Sequence, residues 1–212
     1  MDIQILFRDD RFVVLNKPAG LPVHAGRAGG PSVEDHFPAL SRRRDGPWLA
    51  HRLDTDTAGC LVVALRKAAL VAAQAEFAAG RVAKTYWAVV VGAPTGESGV
   101  ISAPLAKITT GRAWKMQVGA GGQPAVTGWR VLGRGDGLTW LELHPQTGRT
   151  HQVRAHCAVL GCPVLGDKIY GGGAGALHLL ARAIHLPLDP PVSATAAPPA
   201  HMQAALGACE WA

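Results

Sequence analysis

Only two apolar segments of this chain repeat with helical period; the others are strand-sized runs broken by turn residues, and that imbalance restricts the fold more than any other feature. KAALVAAQAEFAAG is alanine-rich and sets Leu70, Ala73 and Phe77 on one face ahead of Gly80, a residue suited to a helix C-terminus. TGRTHQVRAHCAVLG spaces Val153, Cys157 and Leu160 at i, i+4 and i+7, and Gly161 closes it. Around them, ILFR and RFVVLN read as short strands on either side of an Asp9-Asp10 turn. LVVAL, KTYWAVVVG, WKMQV, AVTGWRVLG, LTWLELHPQ and LHLLARAIHLP read as further strands. Residues 31–41 suggest a short helix, and PLDPPVSATAAPPAHM a loop before a short terminal helix. Many strands with few helices predict the α+β class, with a largely antiparallel mixed β-sheet flanked by helices and loops.

A chain of 212 residues, 48% hydrophobic and 17% charged, is long enough for a substantial core. No repeat and no linker divides it, so a single domain over 1–212 is expected. The opening MDIQILFRDDRF lacks the basic stretch and apolar run of a signal peptide, and no apolar run is long enough to span a bilayer. A cytoplasmic protein with no membrane association is expected. Cys60, Cys157, Cys162 and Cys209 form no C-x-x-C pair, which predicts free thiols. The formal charge of +6 favours an anionic partner, nucleic acid being the commonest.

Two clusters of polar residues stand out against this apolar background. In LAHRLDTDTAGCLVVAL, Asp54 and Asp56 sit beside Arg52 at the mouth of a strand bound for the core. A buried carboxylate needs partners, so the segment is either a solvated turn or a site. Paired carboxylates also suit an aspartic protease, which would need a second such segment, or a magnesium site, which lacks an accompanying phosphate loop. The second cluster is Arg149, His151, Gln152, Arg154 and His156 at a helix start, where backbone amides and arginine forks both suit phosphate or carboxylate. The alternative is a solvated basic helix end. His156, Cys157 and Cys162 lack the paired spacings of a zinc site, and the apolar stripe claims Cys157 for the core. YGGGAG, with no strand before it and no helix after it, reads as a flexible loop. The tryptophans fall mostly in strand-like segments and read as core.

Four blocks together resemble a known family. VLNKPAGLPVHAG, HRLDTDTAGCLVVAL, KTYWAVVVG and HPQTGRTHQVRAHCAVLGCPVLGDKIYG are similar, in order, to the motif blocks of the RluA family of pseudouridine synthases, and LHLLARAIHLPLDPP resembles that family's closing strand. The resemblance implies the pseudouridine synthase catalytic fold. It also implies isomerisation of uridine to pseudouridine in structured ribosomal or transfer RNA. Carried over by position, it makes Asp54 the catalytic aspartate, Tyr86 the tyrosine that stacks on the target base and Arg154 the arginine that pairs with the aspartate. Arg52 answers to a position that extrudes the base and contacts RNA. His51, Thr57, Lys84, Arg149, His151 and Gln152 fall in the matched blocks and are expected to bind RNA or substrate.

The chemistry asks for the same residue types. Breaking N1–C1′, turning the uracil and joining C5 to C1′ is redox-neutral and needs no energy input, so no cofactor and no metal are expected. A carboxylate can add to the base or sugar, or remove a sugar proton; all three routes remain open. The target base must first leave its stack, at a cost of a few kcal/mol.

Two departures accompany the resemblance. Ala58 stands where the family usually has serine, and the chain starts almost at the first block, with no separate N-terminal RNA-binding domain expected. Target choice then falls to loops such as residues 25–31 and 111–122. A monomer is expected, from the lack of an amphipathic pairing segment. The rivals are an RNA-binding protein that has lost catalysis and a metal-dependent hydrolase using Asp54 and Asp56.

Overall fold

The structure, a computed structural model, describes residues 3–26, 29–43, 45–111 and 113–211. In chain order the first elements are β1 (Ile5–Arg8), β2 (Phe12–Lys17), a 3-10 turn (Val33–His36) running into α1 (Phe37–Leu40), β3 (Trp48–Leu49), β4 (Ala58–Ala64) and α2 (Lys67–Ala78). There follow β5 (Ala83–Val91), β6 (Ser98–Ser102), β7 (Leu105–Thr110), β8 (Ala113–Val118), β9 (Val126–Gly135) and β10 (Leu138–Pro145). The chain ends with α3 (Gln152–Val159), β11 (Leu179–Leu186), β12 (Val192–Thr195) and α4 (Ala200–Ala208). Two compact units share these elements, one of Met1–Lys84 with Leu180–Pro198, the other of Thr85–Leu179 with Pro199–Ala212.

In the first unit β1, β2 and β4 pair antiparallel in sequence order of neighbours. The other edge of β4 is divided. Its first residues pair with β11 in parallel, Ala58 opposite Leu180, and its last pair with β3, Ala64 opposite Trp48. β12 adds to β11 antiparallel. The parallel contact between β4 and β11 makes the sheet mixed, although antiparallel pairing dominates among the described strands. Every residue of β4 is buried, as are Phe12 to Leu15 of β2, so these strands lack the alternation of a half-exposed sheet and read as continuous apolar runs. Burying one such valine or leucine contributes about 1.5–3 kcal/mol.

In the second unit β5, β10, β9 and β6 form an antiparallel series, with Glu142 opposite Trp87 on one side and Arg130 on the other. Val90, Leu141, Leu143, Val153, Cys157 and Val164 make the core between these strands and α3. β7 and β8 form a separate two-stranded ribbon whose Leu105 and Met116 pack with Ala155 of α3 and Tyr170.

The α+β class is therefore the one the periodicity indicated, and both helices expected from it are present. Gly80 follows α2 in the left-handed conformation, its N–H donating to the Phe77 carbonyl. Four strands escaped the sequence, the two-residue β3 together with β6, β7 and β12. β6 and β7 lie in SGVISAPLAKITT, whose glycine, serine and threonine content gives little apolar alternation. β12 lies inside the proline-rich stretch read as a loop, where it needs only four residues on the edge of β11.

Candidate active site and RNA-contact residues

The Asp54 turn is built before any catalytic question arises. The Thr57 N–H donates to the Asp54 carbonyl (3.1 Å), closing Asp54–Thr57 into a turn that feeds β4, with Thr57 itself buried. The loop after β2 is fastened to this turn from behind: both the Gly20 N–H (2.9 Å) and the Lys17 ammonium (2.8 Å) donate to the Thr55 carbonyl. Lys17 has no exposed surface, and its ammonium also donates to the carbonyls of Pro18 (2.9 Å) and Leu21 (2.8 Å). All three protons are thus used. Burial pushes its pKa down to about 8, against the opposing pull of the Asp56 and Asp54 carboxylates. Asp54 is half-buried, whereas Asp56 and Arg52 are exposed.

His51 and Lys84, both expected at RNA, come together in this unit. The His51 Nε2 accepts the Val62 N–H of β4 (3.0 Å), and its ring lies 5.0 Å from that of Phe77. Burial first and the Lys84 charge second push its pKa down to about 4. A neutral imidazole committed to the backbone in this way is a support for β4.

In the second unit the polar cluster of α3 is mostly inside. Gln152 is buried; its amide nitrogen donates to the Val126 carbonyl and to Thr127 Oγ1 (both 3.0 Å), and its Oε1 accepts from Thr147 Oγ1 (2.7 Å) and the Arg149 N–H (3.0 Å). His156 is equally buried, between Thr127 Oγ1 (2.8 Å) and the Ala103 carbonyl (3.1 Å). Arg149 stays exposed, with Nε donating to the Pro124 carbonyl (3.1 Å). Tyr86 is half-buried on β5, opposite Leu143.

Arg154 binds Asp167 through two parallel hydrogen bonds, 2.7 Å from Nε and 2.8 Å from Nη2, with side-chain exposures of 7% and 0%. Oδ1 of Asp167 accepts two more, from the N–H groups of Ile169 (3.0 Å) and Tyr170 (3.2 Å). Burial raises the carboxyl pKa, but the guanidinium and these amides outweigh it and hold the group below the ordinary carboxylate range. The Tyr170 ring lies 5.5 Å from the Arg154 guanidinium, and its hydroxyl accepts the Met116 N–H (3.0 Å) and bonds His151 Nδ1 (3.2 Å). His151 caps α3 in the left-handed conformation (φ 50°), which is uncommon outside glycine and persists where the surroundings fix it. Trp114 of β8, 40% exposed, stacks on it at 4.9 Å, and the Lys107 ammonium lies 4.6 Å from the indole.

These arrangements revise parts of the sequence reading. Trp114 is a surface ring, unlike Trp129 and Trp140, which lie in the core as expected. The glycine run is not a loose loop where it meets the G-D turn. Gly172 donates to the Asp167 carbonyl (2.9 Å) and accepts from Gly166 (2.8 Å), and a Cβ on it would fall 1.7 Å from the Val164 carbonyl. Lys17 and Asp167 carry no role in the sequence reading although both lie inside matched blocks, in N-K-P and G-D. The four cysteines are buried free thiols, as expected, and burial raises the pKa of each. Of the loops expected to choose the target, Arg27, Ala28 and Arg112 lie outside the described residues.

The family described as RNA pseudouridylate synthase matches residues 11–159, which take in the Asp54 turn, Tyr86 and the whole of α3. The chain belongs to this family. Its members are isomerases that convert uridine to pseudouridine in RNA. An RNA pseudouridine synthase of Zymomonas mobilis is 39% identical over 171 residues, 79% of this chain and 78% of that protein. Ribosomal large subunit pseudouridine synthase C of Vibrio cholerae is 36% identical over 79% of this chain and 52% of its own length. The structure of human RNA pseudouridylate synthase domain containing 4 superposes with a TM-score of 0.82 at 29% identity, covering 97% of this chain and 92% of that one. The fold is thus the pseudouridine synthase catalytic fold. Among the described residues no helix is long and apolar enough to cross a membrane.

Proposed function

We propose that the chain isomerises specific uridines in structured ribosomal or transfer RNA, with Asp54 as the reacting carboxylate. The observation that carries this reading is the Asp54–Thr57 turn inside the matched H-R-L-D block, held rigid from behind by Lys17. A carboxylate that attacks or deprotonates must be kept in one place, and positioning of this kind accounts for a large part of catalysis. Tyr86 is the stacking partner that retains uracil between cleavage of N1–C1′ and formation of C5–C1′, while the C5 proton passes to N1. Arg154 is the arginine that acts with Asp54, as the matched block implies. Arg52, exposed two residues before Asp54, takes part in extruding the base. Arg149 and Lys84 meet phosphate, and the whole works as a monomeric single catalytic domain without metal or cofactor, because the reaction needs no redox partner. Ribosomal RNA is the substrate class favoured by the likeness to the ribosomal large subunit pseudouridine synthase C of Vibrio cholerae.

The test is carbodiimide-based mapping of pseudouridine in total RNA from cells with and without the gene, complemented by wild type or by Asp54→Ala. One or a few sites should vanish on deletion and return with wild type alone. Sites restored equally by the Asp54→Ala variant would remove Asp54 from the chemistry.

A further inference from the structure

The first unit holds a cavity of about 710 Å³ that has no part in the Asp54 turn. Arg8, Arg42, Arg43 and Arg66 line it, with Asp9 and Asp10 as the acidic members and Leu40 and Leu65 among the apolar ones. The arginines converge from three separate segments: the end of β1, the stretch after α1, and the corner between β4 and α2.

The acids are already matched. Arg66 Nη2 meets Asp10 at 2.7 Å while its Nε donates to the Asp10 carbonyl (2.9 Å), and Asp9 pairs with Arg11 at 3.1 Å. Arg8 gives one amino group to the Leu40 carbonyl (2.8 Å), which fixes its side chain at the rim. Arg42 has no ion pair among the described residues, and the contact of Arg43 with Asp45 is 4.0 Å between two exposed groups. Surplus guanidinium charge therefore stands over a concave, partly apolar floor. Anchored arginine forks in such a place suit tetrahedral oxyanions, above all phosphodiesters.

The strand register shows where this cavity lies relative to the reacting carboxylate. In the β2–β4 pair, Lys17 stands opposite Gly59 at the end that carries the Asp54 turn, and Phe12 stands opposite Ala64 at the end that carries Leu65 and Arg66. Five residues of strand separate the two ends, roughly 17 Å. That distance is too long for one nucleotide and suits the backbone of a stem continuing past the target.

We infer that the arginine-lined cavity formed by Arg8, Arg42, Arg43 and Arg66 is a second RNA-binding site, which grips backbone phosphates of the substrate at the far end of the β2–β4 pair from Asp54. The inference rests on the isomerase reading for the nature of the partner. Its effect is on affinity and register, since phosphate contacts position a nucleic acid without reading its bases.

The test uses the full chain with Arg42→Gln and Arg43→Gln combined, both exposed positions outside the catalytic blocks. Binding of a labelled RNA hairpin is measured across a potassium chloride series, with inorganic tripolyphosphate as a competing small anion. The double variant should bind about tenfold more weakly near physiological salt, and its slope of log affinity against log salt should be shallower by about 1.5. With an RNA that the wild type modifies, KM should rise and kcat stay level. Unchanged affinity and slope would overturn the inference, as would failure of the wild type to bind the hairpin. Loss of tripolyphosphate binding with hairpin affinity intact would also overturn it, and would assign the cavity to a small free anion. If instead the wild type forms no pseudouridine but its hairpin affinity depends on Arg42 and Arg43, the isomerase reading fails and the binding site stands.

Discussion

The guanidinium of Arg154 and the carboxylate of Asp167 meet edge to edge, thirteen residues apart in sequence, in a two-point hydrogen bond from which water is almost wholly excluded. Removing one member of a buried pair leaves the other charged and unmatched, typically at a cost of about 3–5 kcal/mol. Asp167→Asn should therefore lower unfolding free energy by about 3 kcal/mol in urea titrations. On the role proposed for Arg154, kcat of the protein that remains folded should fall roughly 100-fold, because a guanidinium displaced by about 1 Å is out of place for catalysis. A variant as stable and active as wild type would show the pair to be incidental.

Lys17 allows a prediction in alkaline solution. Its folded pKa of about 8 lies below the unfolded value of 10.5, so between these limits the unfolded chain holds more protons. Its contribution to stability is unfavourable below pH 8 and is relieved as pH rises from 8 towards 10.5. The difference in stability between wild type and Lys17→Met should therefore shift in favour of wild type across that window, as followed by urea midpoints. Lys17→Met also takes the ammonium from the Pro18, Leu21 and Thr55 carbonyls, leaving Thr55 to the Gly20 N–H alone, and should reduce kcat by about two orders of magnitude at pH 7.

Acid acts on the same unit through His51. With a folded pKa of about 4 against 6.5, the unfolded chain again binds the extra proton, so the stability that His51 contributes is complete above pH 6.5 and is lost as pH falls towards 4. The swing is on the order of 2–3 kcal/mol. His51→Gln should flatten the acid limb of a stability-against-pH curve, and an unchanged limb would clear His51 of responsibility.

Neighbouring glycines should respond differently to alanine. At Gly172 the new methyl would meet the Val164 carbonyl at 1.7 Å, whereas at Gly173, with φ 87°, nothing lies within 4 Å. Gly173→Ala should cost about 1–2 kcal/mol from backbone conformation alone. Gly172→Ala must displace the turn that carries Asp167, and should cost more and depress activity as well. Melting temperatures and pseudouridine formation of the two variants provide the comparison.

The sequence made the helices legible because Leu70, Ala73 and Phe77, or Val153, Cys157 and Leu160, repeat at the spacing of one buried face. β2 and β4 were equally plain, since strands covered on both sides are unbroken apolar runs. β6, β7 and β12 were not, because edge and ribbon strands bury too little to leave an alternating pattern. At the site, motif resemblance singled out Asp54, Tyr86 and Arg154. It could not distinguish residues that face a ligand from those that hold the frame, and Gln152 and His51 proved to be engaged with the backbone. Asp167 and Lys17 went unassigned because their partners are backbone carbonyls and amides and one guanidinium, none of which leaves a side-chain pattern in the sequence.

Six consecutive residues of α3, Gln152 to Cys157, are buried, although half of them are polar. A helix whose Gln152, Arg154 and His156 are each tied down by hydrogen bonds cannot slide or roll without leaving a donor or acceptor stranded. Hydrophilic composition here signals rigidity, so a saturation scan of this segment should show the narrow tolerance of a hydrophobic core, with isosteric amide and imidazole replacements failing where valine and alanine exchanges pass.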